Sequence, residues 1–172
     1  MIVEPLAAPA DGVLPEPLLA ELTALYAANW EFFTLSGDFP DPHGIRPEQV
    51  AAPIVEELAN PNTEVLLGRT EVDGRLAGIA ITLAHHPDPA DPDPWIGLLL
   101  IDARVHRSGY GRALAGAVEE RFSAVGRTAI RLAVLDNNPK GLAFWTTLGY
   151  EVLGHREDRQ HGRPCTVMRK KL

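Results

Sequence analysis

The sequence predicts a mixed α/β fold with a central sheet whose middle strands are covered on both faces. Three observations lead there. Two runs rich in Val, Leu and Ile, residues 64–71 and 75–84, flank Val72-Asp73-Gly74, and Asp-Gly between apolar runs is a strong hairpin signal. Two further runs, Leu98 to Ile101 and Ile130 to Val134, are dominated by apolar residues, as strands buried on both faces are. A helical pattern lies between those two runs and another follows them, so strands and helices alternate through the second half of the chain.

The elements follow in order. Ile2 to Leu6 fits a short edge strand, after which Pro5, Pro9, Pro15 and Pro17 keep the chain extended. From Pro17 onward Leu18, Leu22, Leu25 and Tyr26 recur at helical spacing, predicting one helix to about Phe33 that breaks at Ser36-Gly37. Pro40, Pro42 and Gly44 make a loop, and a second helix carrying Ile54, Val55 and Leu58 ends before Asn60-Pro61. The hairpin comes next, then a loop heavy in proline and aspartate, His85 to Pro94, and the apolar strand Trp95 to Ile101. A glycine-bearing loop opens a helix with Leu114, Ala117, Val118 and Phe122 on one face. Ile130 to Leu135 reads as a strand. Asn138-Pro139 supplies a helix cap followed by proline at the first helical position, and Gly149 stops that helix. Two strand-like runs, Tyr150 to Arg156 and Cys165 to Leu172, finish the chain around the turn Gly162-Arg163-Pro164.

With 172 residues, 45% of them hydrophobic, the chain buries one core of ordinary size, and residues 1–172 are expected to form a single domain. A net charge of −7 and a pI near 5.3 argue against a nucleic-acid partner, which calls for a basic face. Arg104, Arg107 and Arg112 nevertheless gather beside the glycine loop, a local patch suited to a small anion. The one cysteine, Cys165, permits no intrachain disulfide, so a reducing cytoplasm is the expected compartment. No run is long enough for a transmembrane helix, and the first residues lack the basic start and apolar centre of a signal peptide, so no membrane partner is expected. His85, His86, Asp88, Asp91 and Asp93 carry metal-ligating chemistry, but their prolines hold the segment extended without rigid ligand spacing. A solvated loop and no metal are expected there.

The most informative stretch is His106-Arg107-Ser108-Gly109-Tyr110-Gly111-Arg112-Ala113-Leu114, a glycine loop between an apolar strand and a helix. Such a junction gathers backbone N–H groups that lack intrahelical partners and aims them, with the positive end of the helix dipole, at one point. A phosphate or pyrophosphate is the natural occupant, and glycine lets it approach without a Cβ in the way. A dinucleotide fold is disfavoured because no third glycine follows at the required spacing, and a nucleotide P-loop is excluded by the missing Gly-Lys-Ser/Thr.

These residues, with Val134, Asn138, Trp145 and Gly149-Tyr150 at matching separations, resemble the GNAT superfamily of acyl-CoA-dependent N-acyltransferases. Its signature is a strand, Gln/Arg-x-x-Gly-x-Gly/Ala opening a helix, a second strand, an Asn, and an aromatic residue before a Gly-aromatic pair. The resemblance covers roughly residues 95–152. It implies a mostly antiparallel central sheet with a splayed parallel strand pair, and an enzyme that moves acetyl from acetyl-CoA to a primary amine by direct attack. In similar proteins the pyrophosphate sits on loop main-chain donors, here Arg107 to Arg112, and the implied cofactor-binding positions around it are His106, Arg107, Ser108, Gly109, Tyr110, Gly111, Arg112, Ala113 and Trp145. The pantetheine arm would run along Leu99, Leu100 and Ile101 and meet Asn138. The acetyl group would point toward the first helices and the stretch from Trp95, which makes Trp30, Phe33 and Trp95 candidates for the acceptor pocket. A small-molecule amine or a peptide N-terminus is the implied acceptor, and monomer or homodimer the implied assembly. A catalytically impaired acyl-CoA-binding module and a non-enzymatic interaction protein are the alternatives.

Two positions depart from the family pattern. His106 stands where Gln or Arg is usual. Trp145 stands where many members carry a Tyr that protonates the departing thiolate, and an indole N–H has no comparable acidity. The strand before the loop also lacks the Glu that some members use as base, so the sequence names no catalytic acid or base, although water could carry a proton toward His85, His86 or a carboxylate.

Overall fold

A computed structural model describes residues 1–158 and 161–172. The first half folds as β1 (Ile2–Pro5), α1 (Glu16–Ala28), α2 (Trp30–Ser36), α3 (Pro47–Ala59), β2 (Thr63–Arg69) and β3 (Leu76–Leu83). The second half continues as β4 (Trp95–Ile101), a 3-10 turn (Ala103–Val105), α4 (Tyr110–Ala124), β5 (Ala129–Leu135), α5 (Pro139–Thr147), β6 (Glu151–Glu157) and β7 (Pro164–Lys171). All seven strands join one sheet in the order β1-β2-β3-β4-β5-β7-β6, antiparallel throughout except for the parallel pair β4 and β5. Among the described residues no helix is long and apolar enough to cross a membrane.

Alternation along the strands sends neighbouring side chains to opposite faces. On one face Val65, Leu67, Ile79, Ile81 and Leu100 pack with Leu22, Leu25, Tyr26 and Phe33 of α1 and α2 and with Val50 and Ile54 of α3. On the other, Leu66, Ala80, Ile96, Ile130, Leu132 and Met168 pack with Leu114, Ala115 and Val118 of α4 and Trp145 of α5. The hairpin turns where Asp-Gly predicts it, with Gly74 at φ 68° and Thr70 N–H donating to the Arg75 carbonyl at 2.9 Å.

The single helix expected to run to Phe33 is two helices. Buried Asn29 sits at the break with non-helical ψ, and its Nδ2 donates to the Leu25 carbonyl at 2.8 Å. That side chain satisfies a carbonyl the helix end leaves free and lets the chain turn into α2. The expected stop at Ser36-Gly37 is present, with Gly37 left-handed at φ 70°.

A second correction concerns the middle of the sheet. β4 pairs with β5 only at Trp95 opposite Arg131 and Ile96 opposite Leu132. Gly97 is then an extra residue against β3, where Ile81 faces Leu98 and Thr82 faces Ile96. Such a bulge bends the strand that carries it. Among the described residues β4 has no partner on its β5 side from Gly97 onward, so Gly97 is exposed and Leu98 and Leu99 are half-buried rather than enclosed on both faces.

Candidate functional site

The open side of β4 leads directly into the glycine loop. Asp102 N–H extends the β3 pairing by donating to the Ala77 carbonyl at 2.9 Å, and the Asp102 carboxylate accepts from Arg104 N–H at 2.9 Å, closing the 3-10 turn. His106 then folds back, its Nε2 2.8 Å from the Ile101 carbonyl. Its ring therefore braces the loop against the end of β4, a role that a residue in the Gln/Arg position of the motif does not reveal from sequence.

Arg107 at φ 64° and Gly109 at φ 84° are both left-handed, which curls the loop before the helix begins. The first helical bond runs from Ala113 N–H to the Gly109 carbonyl at 3.0 Å, so the N–H groups of Tyr110, Gly111 and Arg112 precede it and lack intrahelical acceptors. Gly109 is needed for its φ, since a Cβ there would meet nothing within 4 Å. Gly111 is close-packed instead. A Cβ on it would lie 3.2 Å from the Phe144 ring of α5.

The basic patch is smaller than the sequence suggests. Arg104 Nε bonds Asp102 Oδ1 at 2.9 Å. Burial would raise the Asp102 carboxyl, but the hydrogen bonds from Arg104 prevail and hold it below the usual carboxylate range. Arg107 and Arg112 are exposed and form no ion pair among the described residues, so they are the cations left at the loop.

Asn138 caps α5 as expected, its Oδ1 accepting from Gly141 N–H at 2.9 Å, with Pro139 at the first helical position. Trp145 is 8% exposed and meets Phe144 and Tyr150 edge-on, with ring centroids 4.9 and 5.0 Å away. Tyr150 is sealed beneath it and donates to Glu119 Oε1 at 3.1 Å. Burial first, then the Glu119 charge, pushes its phenol far above the usual range, so it stays protonated.

The three acceptor-pocket candidates have different surroundings. Trp30 is exposed and lies against His43, with ring centroids 4.6 Å apart. Phe33 is 2% exposed and stacks on Tyr26 at 5.2 Å, which makes it a core residue. Trp95 lies at the paired end of β4, beneath Arg156 and beside His86, with ring distances of 4.6 and 4.8 Å. Its indole Nε1 is buried without a hydrogen-bond partner among the described residues.

The loop from His85 to Pro94 is not simply solvated. Asp93 Oδ2 accepts from Nε of both Arg131 and Arg169 at 2.8 Å, and Asp91 accepts from Arg131 and Arg156. These arginines come from β5, β6 and β7, which the sequence alone could not place beside the loop. His86 contacts Asp91 at 3.2 Å and His85 contacts Arg127, so both histidines are engaged away from the glycine loop.

A cleft the sequence did not reveal lies between the end of α2 and the end of β5. It has a volume of about 230 Å³ and is lined by Leu35, Leu135, Asp136, Asn137, Arg163 and Pro164. Asn137 Nδ2 donates to the Leu35 carbonyl at 3.0 Å, and Arg163 Nη1 donates to the Ser36 carbonyl and, at 2.8 Å, to Asp38. These bonds tie α2, which packs through Phe33 on the β4 side of the sheet, to the far side of the strand divergence.

The comparisons with known proteins agree with this geometry. Residues 22–150 match the model of the Acetyltransferase (GNAT) family. Among solved structures, an acetyltransferase from Thermus thermophilus aligns with a TM-score of 0.70 at 20% identity, covering 100% of this chain and 98% of that one. An aminoglycoside 6'-N-acetyltransferase complexed with coenzyme A aligns at 0.67 and 16% identity, over 99% and 97% of the two chains. A GCN5-related N-acetyltransferase from Kribbella flavida aligns at 0.65 and 18% identity, over 99% and 98%. No curated protein matches the sequence. With a family match over three quarters of its length and the strand divergence and glycine loop in place, this chain belongs to the GNAT acetyltransferase family.

Proposed function

We propose that residues 1–172 act as one domain that transfers acetyl from acetyl-CoA to a primary amine by direct attack. The observation that carries this reading is the divergence of β4 from β5 beside a loop whose N–H groups have no intrahelical partners. An unpaired strand edge suits an extended, amide-bearing arm, and the loop suits a pyrophosphate, so the two together fit the two parts of coenzyme A.

In this reading N–H groups of the loop from Arg107 to Arg112 hold the pyrophosphate, with Arg107 and Arg112 adding charge. The open edge from Leu99 to Ile101 takes the pantetheine arm, near Asn138 on the opposing side. One main-chain N–H of β4 polarises the thioester carbonyl. The amine lone pair adds to the carbonyl carbon, the C–S bond breaks, the thiolate departs, and the nitrogen loses its proton to water. Holding the two reactants together supplies about 7–11 kcal/mol of the barrier. Trp145 packs beside the leaving group and does not serve as an acid.

The buried packing of Trp145 also favours a second reading, an acyl-CoA binder with impaired turnover. Thermal unfolding with acetyl-CoA, with ATP and NAD as controls, tests the cofactor for both. Ligand at about a hundred times its dissociation constant adds ~2.7 kcal/mol, a rise of several degrees. A shift confined to CoA species followed by amine-dependent thiol release supports the transferase. A shift without thiol release from any amine favours the binder, and no shift removes both.

A further inference from the structure

We infer that the cleft between α2 and the end of β5 holds the acceptor, and that it selects a small primary amine with an apolar body and no carboxylate, bound through Asp136. This rests on the transferase reading above and names the acceptor class for it. Three features carry it.

The first is position. Leu135, Asp136 and Asn137 follow the point where β5 leaves β4, and the Leu35 carbonyl near the end of α2 accepts from Asn137 Nδ2, so a molecule in the cleft sits beside β5 at the open end of the strand pair. The second is a carboxylate held in a fixed orientation. Thr166 is 6% exposed and donates its hydroxyl to Asp136 Oδ1 at 2.8 Å, while His155 Nδ1 lies 3.1 Å from that hydroxyl. A hydroxyl has one proton to give, so the histidine must donate to the threonine, and the chain points from His155 through Thr166 to Asp136. Asp136 N–H is fixed too, on the Pro164 carbonyl at 3.0 Å. Oδ2 accepts no hydrogen bond among the described residues and is free for an ammonium or amine N–H.

The third feature is the remaining lining. Leu35, Leu135 and Pro164 are apolar, which suits a hydrocarbon body. The one cationic lining residue, Arg163, is already engaged by Asp158 through Nε, by Asp38 at 2.8 Å and by the Ser36 carbonyl. The carboxylates of Asp38, Asp136 and Asp158 outnumber that one guanidinium, so a carboxylate on the acceptor would enter a locally negative cleft.

The test uses phenethylamine and phenylalanine, which differ by one carboxylate, titrated calorimetrically into the full chain with and without CoA. The expected result is binding of phenethylamine and at least about tenfold weaker binding of phenylalanine. Asp136→Asn keeps an oxygen for Thr166 and is expected to weaken phenethylamine about tenfold while CoA binding is unchanged. Leu35→Trp fills the cleft from α2 and is expected to do the same. Unchanged phenethylamine affinity in both variants, or equal affinity for phenylalanine, overturns the inference. Absence of CoA binding overturns the transferase reading instead, and the cleft is then judged by the amine titration alone.

Discussion

Gly111 and Phe144 are in contact across the junction of α4 and α5, leaving 3.2 Å between the aromatic ring and the place a Cβ would occupy. The start of α4 is thus seated on α5, which fixes where its free N–H groups point. The two glycines of the loop consequently fail in different ways. Gly109→Ala puts a side chain at φ 84° and is expected to cost about 1 kcal/mol, a fall of roughly 2–4 °C in the unfolding midpoint. Gly111→Ala gains helix propensity while displacing Phe144, so its midpoint should hardly move, but CoA affinity should fall about tenfold. Thermal unfolding and CoA titration of both variants check this, and equal behaviour of the two would remove the distinction.

His106 offers a test of the loop without touching the helix. Its bond to the Ile101 carbonyl joins the loop to the end of β4. His106→Ala is expected to lower CoA affinity several-fold by loosening the donors, with a stability loss of only about 1 kcal/mol. His106→Gln, which can still donate to that carbonyl, should recover most of the affinity.

Trp145→Tyr places a hydroxyl where the family pattern has one. A smaller ring in a position 8% exposed leaves a void beside Tyr150, so the midpoint should fall. If departure of the thiolate is slow for want of an acid, kcat for thiol release should rise, on the order of tenfold. Unchanged kcat in a folded variant would show that the position only packs.

Acid should weaken the chain at both ends of the strand pair, at Asp93 beside Arg131 and at Asp158 beside Arg163. Burial works against the Asp93 carboxylate, yet the hydrogen bonds from Arg169 and Arg131 prevail and hold it below its usual range. Asp158 behaves alike, with burial outweighed by Arg163 and the carboxyl lowered to about 2. A carboxyl lowered by folding contributes stability above its unfolded value, about 3.9, and loses it as pH falls through the folded one. The unfolding midpoint should therefore drop between about pH 4 and pH 2. Asp93→Asn should unfold below the wild type near neutral pH, with the gap closing across that acid range. A gap that stays constant would remove Asp93 from the acid response.

Much of this protein was written in local chemistry. Asp73-Gly74 specified its hairpin, Asn138-Pro139 and Gly149 bounded α5, and the run from His106 to Leu114 announced a glycine loop opening a helix, because each depends on φ, ψ and hydrogen bonds within a few residues. Relations between distant segments were decided only in the tertiary structure. Leu35 meets Asn137, and Arg163 meets Ser36 and Asp38, across more than a hundred residues of chain. Asp91 and Asp93 looked solvated until β5, β6 and β7 brought arginines to them. The apolar strand from Trp95 looked enclosed until the bulge at Gly97 opened its edge. Periodicity reports which face of an element is apolar, but which neighbour covers it, and where a neighbour is withheld, follows from how the whole sheet twists and packs.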